Sequence, residues 1–83
     1  MAPLLKTRGS SHGNWKDQAA LSQNIKTVLG IDTNPNLRPD ERESLEMIAV
    51  KLSRILTGDP HFEDHWRDIA GYATLAADLN KAA

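Results

Sequence analysis

Four acids stand out by type and spacing. Glu43 and Glu46 are three residues apart, and Asp64 and Asp68 are four apart. On a helix, either spacing puts both side chains on one face. Four carboxylates in one cleft repel each other unless a cation sits among them. Mg²⁺ suits such a set, since it takes carboxylates, waters and phosphate oxygens. Held there, it would carry a nucleotide by its phosphates. Lys51 and Arg54 are the bases in the same stretch. Each serves equally as a buried ion-pair partner or a phosphate ligand. The plainer reading has Glu43 favouring a helix N-terminus, with Asp64 or Asp68 pairing with Arg67 at the surface.

Three further residue types bear on chemistry. His61 and His65 are four apart, a spacing that can bind zinc on a helix, but no strong third ligand is at hand. Phosphate contact or helix capping suits them better. Trp15 is either an apolar staple at a helix start or a platform on which a base stacks. Before it lies Met1–Gly13, which ends in Arg8-Gly9-Ser10-Ser11-His12-Gly13. This segment has Lys6 and Arg8, no acid, and a Gly/Ser density that favours coil. It reads as a flexible arm, and Arg8 and His12 would let it close as a basic flap over an anionic ligand.

The elements that position these residues are helical. Residues 1–13 form the arm and residues 14–83 a single helical domain. The first helix is predicted over 15–29, with Asn14 as its N-cap and Gly30 as its closing residue. Leu21, Ile25, Val28 and Leu29 recur on it at helical spacing. Ile31 to Pro39 reads as a loop that Leu37 anchors. The second helix is predicted over 40–57, with Leu45, Ile48, Ala49, Leu52, Ile55 and Leu56 in one arc of about 120°. The third is predicted over 61–79, with Phe62, Trp66, Ile69, Ala73, Ala76 and Ala77 sharing an arc. The fold class is all-α, a three-helix domain whose core is the hairpin of the second and third helices. Gly71 interrupts the third helix and would admit a close neighbour or be merely tolerated.

Second faces point to association. Met47 and Val50 lie opposite the apolar arc of the second helix, and Tyr72, Leu75 and Leu79 lie off the Trp66 stripe. Apolar residues on second faces argue for burial between subunits, so a homo-oligomer, dimer or tetramer, is expected.

Composition excludes several classes. The chain has 83 residues, ten of its apolar residues are Ala, and a chain this short makes a marginal core. It has no Cys, which removes disulfides and Cys-based zinc sites. A net charge of −1 argues against a general nucleic-acid clamp. No apolar run is long enough to span a membrane, and no secretory signal is visible, so a cytoplasmic location is expected.

Two stretches carry a resemblance. Glu43 to Pro60, followed by Asp64-His-Trp-Arg-Asp-Ile-Ala-Gly-Tyr-Ala, resembles small phage and prophage proteins of unknown function. Those show a Lys-x-x-Arg helix and then Asp-x-x-x-Asp-Ile-Ala-Gly-Tyr-Ala, and His12-Gly13-Asn14-Trp15 is similar to their start. The group is distantly similar to the MazG-like all-α NTP pyrophosphohydrolases. That resemblance implies a helical hairpin, oligomerisation and Mg²⁺-dependent cleavage of a nucleoside triphosphate. The MazG-like pattern has Glu-Glu-x-x-Glu and then Glu-x-x-Asp. Here Glu43 and Glu46 lack the doubled Glu, and Asp64 and Asp68 are spaced by four instead of three. Lys51 and Arg54 match the phage group's own motif. Three functions follow as expectations: a nucleotide-binding hydrolase relative, a non-catalytic phage protein that sequesters nucleotide signals of host defence, and a small protein–protein inhibitor module.

Overall fold

The structure, a computed structural model, describes residues 14–82. Asn14 starts the first helix. Its side-chain oxygen accepts the backbone N–H groups of Lys16 and Asp17 at 2.9 and 3.3 Å. These are two of the N–H groups that a helix start leaves without intrahelical partners. The helix, α1, runs Trp15–Leu29. It stops at Gly30, whose φ of 67° is left-handed and disfavours a Cβ. The Gly30 N–H donates to Thr27, and the Ile31 N–H to Lys26, a Schellman closure. That closure folds Ile31 back into the core, where it is buried. Ile31 is therefore the loop's anchor, and Leu37, the expected one, is only half-buried.

The second helix, α2, runs Pro39–Thr57. Pro39 suits the first turn, where its missing N–H costs nothing. The Glu41 carboxylate reaches back to accept the Arg38 backbone N–H at 3.0 Å. After Gly58, Asp59 builds the turn. Its side chain accepts the His61 N–H at 2.9 Å and its carbonyl the Phe62 N–H at 3.2 Å. His61 and Phe62 are thereby held outside the third helix, α3, which runs Glu63–Ala82. Its far end passes the expected stop at Leu79, because Asn80 is tied to the start of α2. Asn80 accepts from Arg38 Nη1 at 2.9 Å and donates to Glu41 Oε2 at 3.1 Å.

These ties, with the Lys51–Asp68 ion pair at 3.0 Å, set α3 antiparallel to α2. Residue n of α2 faces residue ~120 − n of α3. This seam is the more extensive of the two, and α1 packs on another side of α2. The first and third helices do not pack on each other. The buried residues of α2 accordingly fall in two arcs. Ser44, Lys51 and Ile55 face α3, and Ala49 and Ser53 face α1, about 160° round the helix. The result is a layer one helix thick and about 30 Å long, the length of α3.

The core differs from the one predicted by periodicity. Among the described residues only Ile31, Ala49 and Ile55 are fully buried apolar residues. Gln18, Ser22, Ser44, Lys51, Ser53 and His65 are buried polar ones. Val28, Leu29, Leu45 and Leu56 of the predicted stripes are exposed. Trp66, expected in the core, is 54% exposed and donates its indole N–H to the Pro60 carbonyl at 2.8 Å. Two flanking helices bury the edges of the α2 arc and leave its centre between them.

Candidate functional site

The seam between α2 and α3 carries most of the residues singled out for chemistry. Lys51 is buried against α3, and its Nζ lies 3.0 Å from Asp68 Oδ2. Burying an ammonium is costly unless it is paired, so Asp68 is committed to neutralising Lys51. Arg67, the neighbour expected to take Asp64 or Asp68, pairs instead with Glu63 one turn earlier. That is the favourable i, i+4 arrangement of acid before base. Arg54 is half-buried on α2.

The four acids are not gathered. Asp64 faces the region of residue ~56 on α2, about 15 Å along the axis from Glu46. Asp68 stands about 9 Å along it from the same residue. Glu43 and Asp64 are exposed, and Glu46 and Asp68 half-buried. Among the described residues, no three His, Asp or Glu side chains come together in a group able to hold a metal ion.

The two histidines part company. His61 precedes α3, so the helical spacing with His65 is lost. His65 is 2% exposed, with its ring centroid 4.9 Å from that of Phe62. It is a packing residue of the seam, out of a surface ligand's reach. Trp15 is largely exposed at the start of α1. Arg8 and His12, with the proposed flap, lie outside the described residues.

Beside Asp68 a shallow recess of about 550 Å³ runs along α3, lined by Arg67, Asp68, Gly71, Tyr72 and Leu75 among others. A Cβ placed on Gly71 would meet nothing within 4 Å. Nothing in the described chain therefore requires glycine there.

Two clusters escaped the sequence reading. Arg42 donates to the carbonyls of Ile31 at 3.2 Å and Asn34 at 3.1 Å, pinning the first loop onto α2. Arg38, Asp40, Glu41 and Asn80 form the second. The Arg38 guanidinium bonds both Asp40 carboxylate oxygens at 3.1 Å and holds that carboxyl below its ordinary value. The Arg38 backbone N–H, and then Asn80, lower Glu41 likewise. Arg38 itself is raised, chiefly by Asp40. Nothing in their spacing sets these four apart from ordinary surface charges.

The arrangement is that of a small all-α protein that exposes eight large apolar side chains among its described residues. The chain belongs to the family described as a domain of unknown function, DUF6378, whose pattern matches residues 4–80. That match carries neither the phage grouping nor the likeness to MazG-like hydrolases. No curated protein and no solved structure matches the chain. No helix among the described residues is long and apolar enough to cross a membrane.

Proposed function

We propose that this chain is a non-catalytic binding module that acts through its surface. The observation that carries this reading is the inversion of its apolar residues. Among the described residues three are buried, while Trp66, Leu56, Val28 and five other large ones are exposed. So much apolar surface on so small a domain marks an interaction site. The ion-paired state of Asp68 and the spread of the other acids along the hairpin also favour binding over Mg²⁺-dependent hydrolysis. The test is pyrophosphate release from common and modified nucleoside triphosphates with Mg²⁺. The expected result is none. Release that depends on Mg²⁺ and vanishes in Asp68→Asn would overturn the reading.

A second reading keeps a nucleotide in view. The recess beside Asp68 is open and is lined by α3 residues alone, a shelf on which a small ligand could lie. Arg67 at its wall and Tyr72 would offer a phosphate contact and a stacking surface. This supports sequestration of a phosphate-bearing nucleotide, as expected of a phage protein that blunts host defence. A ligand bound only to the folded chain raises its melting temperature. A rise with a linear or cyclic nucleotide that survives a chelator would favour sequestration. No rise with any nucleotide would leave protein–protein interaction alone.

A further inference from the structure

We infer that a second copy of this chain covers one broad side of the helical layer and completes its core. The inference deepens the binding-module reading by naming the partner.

The argument begins with where the apolar residues sit. The strip Leu45, Leu52 and Leu56 lies on α2 between the arc that meets α3 and the arc that meets α1. It therefore faces out of one side of the layer. Because α3 runs antiparallel to α2, its residues about 90° from the seam on that same side are Phe62 and Trp66, with Ala73 and Ala77 below them. The corresponding side of α1, which the loop returns antiparallel to α2, carries Val28 in line with Leu21 and Ile25. Three apolar stripes, one from each helix, thus share one side. Val28 is 85% and Leu56 68% exposed. Asp17 and Glu41 end the α1 and α2 stripes one turn before Leu21 and Leu45, and no Lys, Arg, Asp or Glu lies between the apolar members of any stripe.

Size and composition fit a copy of the chain. The broad side is about 30 Å long, the length of α3, and about three helix diameters of roughly 10 Å wide, of the order of the roughly 800 Å² per partner that a standard stable interface buries. An aromatic anchor within a charge-free apolar patch is the composition of an interface centre. Met1–Gly13 is a poor substitute. Its large apolar residues are Met1, Leu4 and Leu5, too few to cover stripes on three helices. Self-pairing also adds to the core, since three buried apolar side chains among the described residues are a slight core for a domain of this size. The face differs from the expected Met47–Val50 face. Tyr72 lies on the face of α3 that meets α2, and Met47, Val50, Leu75 and Leu79 lie on the opposite side of the layer, where Glu43, Arg54 and Asp64 interleave with them.

The experiment uses the whole chain, with light scattering for mass and Trp66 emission, in a Trp15→Phe background, for burial. The expected mass at tens of micromolar is at least twice 9.2 kDa, with Trp66 emission blue-shifted and moving red on dilution as the mass falls. Leu56→Glu and Val28→Glu should weaken association about a hundredfold or more, while Leu75→Glu leaves the mass unchanged. In an isolated protomer the first two would be near-neutral surface changes. If Leu56→Glu fails to fold, the dilution-dependent Trp66 shift of the otherwise unaltered chain decides. A monomer at high micromolar concentration, whatever its Trp66 emission, overturns the inference. So does an oligomer broken by Leu75→Glu and not by Leu56→Glu. A monomer would leave the binding-module reading to a different partner, whereas pyrophosphate release would sink that reading and spare the dimer.

Discussion

The two seams of the molecule are built on opposite principles. Where α2 meets α3, charge and hydrogen bonds tie residues far apart in the chain: Lys51 to Asp68, and Arg38 and Glu41 to Asn80. Where α2 meets α1, the buried residues are small or polar: Gln18 and Ser22 on one helix, Ala49 and Ser53 on the other. Small side chains let two helices approach closely but remove little apolar area from water. Ser53 even turns its hydroxyl back to its own helix, donating to the Val50 carbonyl at 2.6 Å. The contrast shows why the protomer leaves its large apolar residues outside. Of the large apolar residues only Ile31 and Ile55 are buried among the described residues, and most of the others fall on the sides of the layer.

Breaking the charged seam should have the largest effect. Asp68→Ala leaves the Lys51 ammonium buried without its carboxylate. Removing one partner of a fully buried pair costs about 3–5 kcal/mol. Here the Asp68 side chain is 45% exposed, so water offsets part of that loss, and the expected cost is about 1–2 kcal/mol. Denaturant unfolding should show it as a lower midpoint at unchanged slope. Adding Lys51→Met should recover much of the loss, because the stranded charge goes with it. If the double variant is no more stable than Asp68→Ala, charge is not what holds this seam.

Acid sharpens the same comparison with a smaller effect. Asp40 lies below its ordinary 3.8, through the bond from Arg38. Glu41 lies below its ordinary 4.5, through the Arg38 N–H and then Asn80. A carboxyl lowered on folding stabilises the folded state fully above its ordinary value. That contribution is lost as pH falls through the lowered one. Melting temperature should therefore be insensitive to this cluster at neutral pH and fall with it below about pH 4. Asn80→Ala should make the fall shallower, since one cause of the Glu41 shift is gone. An identical acid profile in that variant would mean that the end of α3 is held some other way.

The three helices were legible because their ends carry strong local chemistry. Asn14 and Gly30 bracket α1, and Pro39 and Gly58 bracket α2. The start of α3 was missed by two residues, because the Asp59 turn uses His61 and Phe62 before the helix begins. The phase of each helix was less legible. Periodicity finds an apolar stripe, but it does not say which neighbour covers it. On α3 the contact face centres on His65 and Tyr72, between the Trp66–Ala77 stripe and the Asp68–Leu79 face. A buried Ser, Lys or His gives no hydropathy signal, so the seams themselves were invisible. At the candidate site, residue type and spacing mark Lys51 and Asp68 for chemistry. Their pairing needed the antiparallel register, which no local pattern supplies.

The smallest expected effect tests the polar seam and has the opposite sign. Ser22 is buried on the side of α1 that meets α2, and its Oγ has no hydrogen-bond partner among the described residues. A hydroxyl taken out of water without a replacement bond destabilises the fold. Ser22→Ala removes that hydroxyl, keeps the close helix approach and raises helix propensity slightly. Most substitutions at buried positions are destabilising. This one should instead stabilise the chain by about 0.5–1 kcal/mol, read as a higher denaturant midpoint. Ser53→Ala is the control, since its hydroxyl is already bonded to Val50, and it should gain less or lose stability. Should Ser22→Ala destabilise, the Ser22 hydroxyl has a partner after all, and the α1 seam is held by polar bonds as the α3 seam is.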